Sequence, residues 1–213
     1  MCLLSKRCIF KIMSVSDRRE REKEALKNKI LNAAAEIVTE DGHNNLKIRD
    51  LAERIEYSPR TVYLYYPDKA ALLEAVIEKG FERTVRQIEE ADPEGSAQSE
   101  QLLIQMMENH VKTAFFNPNY YRAVVSLAMD KNFKTGFYQD AVNNKVRRLL
   151  CLYLGSSDKQ EWEIDLIAAT VMNSLRGFSL NLINNDEKMD QMKIDRSLRI
   201  FIKFVFEGLR SNK

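Results

Sequence analysis

Three short interruptions fall close together, at Asp41-Gly42, at Glu56-Tyr57-Ser58-Pro59 and at Pro67-Asp68. They cut an otherwise unbroken run of helix-forming sequence into pieces too short to stand alone. Ser58 offers a hydroxyl to the first free N–H groups of a helix, and Pro59 sits at the first helical position, where no N–H is needed. Pro67 then ends that helix, and Asp68 caps the next one, which opens at Lys69. A helix this short does not persist in water without partners. The segment therefore has to be a small cluster in which short helices are braced by longer ones.

The bracing helices are legible from apolar spacing. Ile30, Ala33, Ala34, Ile37 and Val38 recur at three- and four-residue intervals, which puts them on one face of a helix over 16–41 that stops at Gly42. Ile48, Leu51 and Ile55 mark a short helix over 47–55, followed by 60–66 and then a longer amphipathic helix over 68–90. The rest, with only 7 Gly and 4 Pro in 213 residues, reads as helices near 99–116, 119–131, 134–154, 159–185 and 191–211. No strand pattern and no internal repeat is evident. The expected fold is all-α with about nine helices. It comprises an N-terminal extension (1–23, partly disordered), a helix-turn-helix domain (24–70) and a helical regulatory and dimerisation domain (71–213), with a loop at 92–99. Met13-Ser14-Val15-Ser16 reads as a start, with residues 1–12 either upstream read-through or a native extension.

Charge does not by itself announce a nucleic-acid partner. Residues 1–80 carry 15 Lys and Arg against 13 Asp and Glu, so any case for DNA rests on where cations sit. The cysteines, Cys2, Cys8 and Cys151, are sparse, have no paired spacing and fit a reducing cytosol, so the expected location is cytoplasmic. No apolar run approaches the ~18–20 residues that span a membrane, and no membrane partner is expected. With His43 and His110 far apart, and no phosphate loop, metal-ligand cluster or nucleophile elbow, there is no catalytic residue to name. Neither enzyme activity nor a metal or cofactor is expected.

A helix, a short helix, a turn and a second short helix make a unit whose last member is narrow enough for a major groove ~12 Å wide. The order is specific: Ile30-Leu31 and Ala33-Ala34, then Gly42, Leu51-Ala52, Ser58, Thr61-Val62-Tyr63, Tyr65-Tyr66, Lys69 and Leu72-Leu73. This resembles the DNA-binding domain of the tetracycline-repressor (TetR) family over about 47 residues. The resemblance implies a one-component transcription regulator, expected to be a repressor, that binds a double-stranded operator as a homodimer and responds to a small-molecule effector. A DNA-bound or DNA-free protein adaptor of the same fold, with no ligand, is the alternative. It further implies that Tyr63 and Thr61 contact the DNA backbone, that Lys69 reaches a phosphate, that Pro59 and Arg60 meet base edges and that Arg49 is placed to read a base. Lys47, Ser58 and Tyr65 complete the expected contact set, while Tyr66 is expected in the core. The mixed run Arg18, Arg19, Glu20, Arg21, Glu22 reads as solvated surface, as do Lys27 and Lys29.

Two departures stand out. Lys47 replaces the family's hydroxyl at the start of the second helix, which removes a cap. Glu56 replaces the turn glycine, at a cost of roughly 1–2 kcal/mol if the left-handed conformation is kept, or else the turn is wider. Tyr57 beside it is expected to pack where the family has a small apolar residue.

The C-terminal half resembles the family only in size and helix count. The resemblance implies that the last two helices dimerise. Leu166, Ala169, Thr170, Asn173 and Gly177 give the first a face with small residues, and Leu198, Phe201, Ile202, Val205, Phe206 and Leu209 give the second a stripe expected to exceed what one chain can bury. An effector pocket is expected to draw on Met106, His110, Phe115, Tyr121, Met129, Phe137, Met172 and Arg176, with His110 and Arg176 orienting the ligand. The 68–90 helix, shared by both domains, is the expected coupling element.

Overall fold

A computed structural model of the chain describes residues 15–91, 98–128, 136–155, 160–185 and 190–211. Among these the chain is all-helical: α1 Val15–Asp41, α2 Ile48–Arg54, α3 Pro59–Tyr63, α4 Lys69–Ala91, α5 Ser99–Phe116, α6 Pro118–Ala128, α7 Phe137–Leu154, α8 Glu161–Asn184 and α9 Gln191–Arg210. Helix α1 already begins at Val15, so residues 15–23 are its first turns rather than a separate extension. The expected loop at 92–99 lies mostly outside the described residues. A single 3-10 turn, His43–Asn45, was not anticipated; it links α1 to α2.

The punctuation works locally. Ser58 caps α3, its Oγ accepting the Thr61 N–H at 3.2 Å, with Pro59 in the first turn. Asp68 Oδ1 accepts the Ala71 N–H at 2.8 Å and so caps α4. Gly42 has φ +84°, a conformation closed to most side chains. Lys47 gives α2 no side-chain cap.

Around these short helices closes one core: Ile30, Ala34, Val38, Leu51, Ala52, Ile55, Val62, Leu72, Leu73 and Val76. It extends past residue 70, so the first half of α4 belongs to the N-terminal unit. A second core joins α5, α7, α8 and α9 through Leu102, Leu103, Val111, Leu150, Leu175, Leu198, Val205 and Phe206. Helix α9 thus buries most of the stripe expected to face a partner. Leu198, Val205, Phe206 and Leu209 are interior, because α5 and α8 cover that face.

Helices α4 and α6 tie the halves together. Gly80, mid-α4, has no side chain because Tyr120 of α6 crosses there: a Cβ would lie 1.7 Å from the Tyr120 hydroxyl, which donates to the Ile77 carbonyl at 3.3 Å. Further along, the Glu78 carboxylate of α4 accepts the N–H groups of Tyr138 and Gln139 and caps α7 from outside its own helix. Gly136 leaves room for that carboxylate. A polar chain runs through α6. Asn119 Nδ2 donates to the Glu40 and Thr39 carbonyls at the end of α1, at 2.8 and 3.2 Å. Arg122 Nη1 donates to Asn119 Oδ1 at 3.3 Å, while its Nη2 reaches the Ile183 carbonyl and Asn184 Oδ1 at the end of α8, both at 3.0 Å.

Helix α8 is long and apolar enough by composition to cross a membrane, contrary to the sequence expectation. Its apolar residues divide between two uses. Ile164, Val171, Leu175 and Leu182 fill the core, and others line its outer face.

Candidate nucleic-acid interface and interior cavity

The turn between α2 and α3 is tight with Glu56 at the position where the resemblance leads one to expect glycine. Glu56 adopts φ +62°, so the chain keeps the left-handed turn and bears its cost instead of widening. Lys29 supports it from α1. Its ammonium donates to the Ile55 carbonyl at 2.9 Å, closing the end of α2, and lies 5.2 Å from the Tyr57 ring centroid. Lys29 is therefore part of the scaffold, and Tyr57, 44% exposed, packs against that lysine rather than into the core.

Behind α3, Val62 and Tyr66 are buried. Desolvation holds the Tyr66 phenol above its usual range, with the Glu24 charge adding to it. In front, Arg60 is exposed and Tyr63 and Leu64 are 50% and 77% exposed. Thr61 and Ser58 share a hydroxyl contact of 2.9 Å, and Pro59 is half-buried beside them. From α2, Arg49 is exposed, and Lys47 lies at 3.9 Å from Asp50, a solvated pair worth little. Lys69 is half-buried, and its ammonium donates to the Asn44 carbonyl at 3.2 Å. Tyr65 leans on the core instead of facing outward, because Val62 and Tyr66 anchor that side of the helix. The other eight expected contact residues, from Lys47 to Lys69, lie on or beside the exposed α2–α3 surface.

The C-terminal half contains a cavity of about 140 Å³ between α4, α5, α6, α7 and α8, comparable to one known to admit a benzene-sized molecule. Of the residues expected there, Met106, His110, Tyr121, Met172 and Arg176 line it. Phe115 does not: it packs against the main core, edge-on to Phe116. Phe137 does not either; at the start of α7 it is 78% exposed, edge-on to Tyr138. Met129 lies outside the described residues. Sequence reasoning missed the α4 wall (Gly80, Phe81, Thr84, Ile88) and the α7 wall (Gln139, Val142, Asn143), since nothing local distinguishes these from ordinary helix faces.

The cavity's polar lining comes from all five helices, with Thr84, Asn109, His110, Tyr121, Gln139 and Arg176 among it. His110 Nε2 lies 2.7 Å from the Tyr121 hydroxyl, with the rings edge to face. Burial, reinforced by the Arg176 charge, lowers the His110 pKa to about 4, so the imidazole is neutral near pH 7. Burial raises the Tyr121 phenol, with Ser179 and Arg176 pulling the other way. Gln139 is buried, and its Oε1 has no donor among the described residues.

On the outside, Trp162, Leu166, Ala169, Asn173 and Gly177 follow one another along the exposed face of α8, and Ile200, Phe204 and Gly208 do so on α9. Thr170 is exposed beside Leu166. Phe201 is half-buried and stacked on Phe178, with centroids 4.5 Å apart. Val205 is taken by the core of its own chain and is not free to form an interface. Among the described residues no cluster of His, Cys, Asp and Glu is placed to hold a metal.

Residues 30–76 match the family model described as bacterial regulatory proteins, tetR family. The HTH-type transcriptional regulator UidR of Escherichia coli strain K12 is 31% identical over 74 residues, which cover 35% of this chain and 38% of UidR. The chain thus spans well under half the length of the relatives it matches. Among solved structures, FadR from Bacillus subtilis in complex with stearoyl-CoA superposes with TM-score 0.65 at 19% identity, covering 87% of this chain and 98% of FadR. RolR in complex with resorcinol gives TM-score 0.59 at 18% identity, covering 88% and 96%. BioQ with its double-stranded DNA operator gives 0.63 at 18%, covering 87% and 98%. At these identities the likeness is one of fold.

Proposed function

Since residues 30–76 place this chain in the tetR family of bacterial regulatory proteins, we propose that it is a cytoplasmic transcription repressor. On this reading it binds a double-stranded operator as a homodimer and leaves it when a small molecule enters the C-terminal cavity. The reading rests above all on one observation: α3 turns Arg60 and Tyr63 to solvent while Val62 and Tyr66 lock it to α1, α2 and α4. That arrangement is needed to insert a rigid helix into a groove. Arg60 and Arg49 reach base edges; Lys69, Lys47, Thr61, Ser58 and Tyr63 hold phosphates. Lys69 exchanges the Asn44 carbonyl for a phosphate on binding.

Two half-sites need two copies of α3. The exposed stripe on α8 and α9 supports a four-helix interface, since a lone chain leaves Trp162, Leu166, Ile200 and Phe204 in water. The cavity favours a sensor over a ligand-free adaptor, as do the stearoyl-CoA and resorcinol held by neighbours of the same fold. The signal has a short path, because α4 and α6 form the cavity wall and also the N-terminal core.

The test is fluorescence anisotropy against DNA flanking the protein's own gene. We expect Arg60→Ala to relax specificity with a loss equivalent to about 1–3 kcal/mol, and Lys69→Ala to weaken binding uniformly and reduce the salt slope by about one. Binding that is sequence-blind in the unaltered protein sinks the proposal.

A further inference from the structure

The chemistry of the cavity wall narrows what can enter it. This step rests on the proposal that the cavity is the effector site. Among the described residues that line it there is one full charge, Arg176, and no carboxylate. Arg176 makes one hydrogen bond, to Asn173 Oδ1 at 3.2 Å, and has no ion-pair partner among the described residues. A guanidinium has five N–H donors in a planar fork that matches a carboxylate, so most of its donor capacity is unused. The surrounding wall is mostly apolar: Met106, Met107, Val125, Val142, Val171 and Met172. The other titratable wall groups do not compete for an anion's charge. His110 is neutral near pH 7 and already paired with Tyr121, and Tyr120 is held protonated by burial. On α7, Gln139 lines the cavity, but its Oε1 is enclosed and offers a ligand no open acceptor.

We infer that the effector is a small, largely apolar carboxylic acid of about one ring, bound as its anion by Arg176. A cationic amine is disfavoured because it meets Arg176 and finds no carboxylate. A neutral molecule of the same shape gains the apolar contacts but leaves the guanidinium unmatched. The volume is consistent with that size: about 140 Å³ accommodates a single ring.

The experiment is calorimetric titration of the full chain with a shape-matched series: 4-hydroxybenzoate, benzoate, benzamide and benzylamine. Arg176→Gln and Arg176→Lys are titrated alongside, and operator binding is read by anisotropy in the same buffers. The acids should bind at least about tenfold more tightly than benzamide, the benefit of one charge-assisted pair, and benzylamine should not bind. Arg176→Gln should erase the acid-over-amide preference, and Arg176→Lys should restore part of it. Unchanged circular dichroism and operator affinity show that the variants fold. Equal binding of benzoate and benzamide, unchanged acid affinity in Arg176→Gln, or no binding by any member overturns the assignment. Arg176-dependent binding that leaves operator affinity untouched supports the cavity chemistry and overturns the sensor reading instead.

Discussion

In the N-terminal unit the apolar side chains of α1 to α4 close on one another, and the large apolar groups left in water, Tyr57, Tyr63 and Leu64, gather around α3. In the C-terminal half that order is partly inverted. Trp162, Leu166, Ile200 and Phe204 lie outside, while His110, Gln139 and Arg176 stand at an interior cavity. On the function proposed for this chain, the difference separates two kinds of task. A unit that inserts a fixed helix into a groove must be internally complete, because any slack in α3 is lost contact geometry. A unit that responds must be incomplete in the free chain, since a ligand shifts an equilibrium only through contacts one state offers and the other does not.

The largest test of this contrast attacks the outer face. Leu166→Glu with Phe204→Glu should yield monomers in analytical ultracentrifugation and weaken operator binding by about 100-fold or more, through loss of the second half-site. Circular dichroism should stay unchanged. A stable dimer in this variant would place the interface elsewhere.

A smaller effect is expected where the two halves cross. Gly80→Ala gains about 1 kcal/mol of helix propensity but drives a methyl into Tyr120, an overpacking that costs about 1–3 kcal/mol. We expect a net loss of about 1 kcal/mol and a Tm lower by about 2–4 °C, relieved by Tyr120→Leu in the double variant. An unchanged Tm in Gly80→Ala would show that α4 and α6 move apart freely there.

Acid should probe the cavity specifically. The folded-state pKa of His110, about 4, lies below its unfolded value of about 6.5. The unfolded chain therefore binds more protons between these values, and stability falls as pH drops through that window. In His110→Gln the contribution vanishes, so the Tm gap between wild type and variant should narrow from pH 7.5 to pH 5. Parallel curves would mean His110 is not held neutral.

The smallest effect belongs to the turn. Glu56→Gly should relieve left-handed strain against a gain in unfolded-chain freedom, a net change of at most about 1 kcal/mol. It should also tighten operator binding by removing a like charge from the DNA side. Glu56→Gln, which changes charge but not backbone freedom, should reproduce only the second effect in anisotropy.

These halves differ also in how much the sequence disclosed. Ser58, Pro59, Asp68 and Gly42 act on groups within four residues of themselves, so their roles follow from their spacing. The family resemblance fixed α3 and most of its exposed surface for the same reason. In the C-terminal half the periodicity identified helices but not which neighbour each face meets. Phe137 and Phe115 looked like lining residues and are not, and Val205 looked like an interface residue and is core. The outward residues of α9, Ile200 and Phe204, sit on the face opposite the stripe that spacing singled out. The interhelical features were invisible, because Glu78 capping α7 and Gly80 admitting Tyr120 join positions dozens of residues apart.

The chain of contacts through Asn119 and Arg122 bears on how the molecule comes apart. Asn119 holds the last carbonyls of α1 and Arg122 that of Ile183 near the end of α8, and these two side chains of an eleven-residue helix are hydrogen-bonded to each other. Opening either end strips partners from the other, and α6 itself is too short to stay helical unsupported. Local unfolding is therefore penalised at this junction, and the two cores are coupled into one cooperative unit rather than two foldons. Heating the protein should then give a single calorimetric transition despite its two cores. The slowest-exchanging amides should include those of α6, a short helix that also buries Tyr121, Ala123 and Val125.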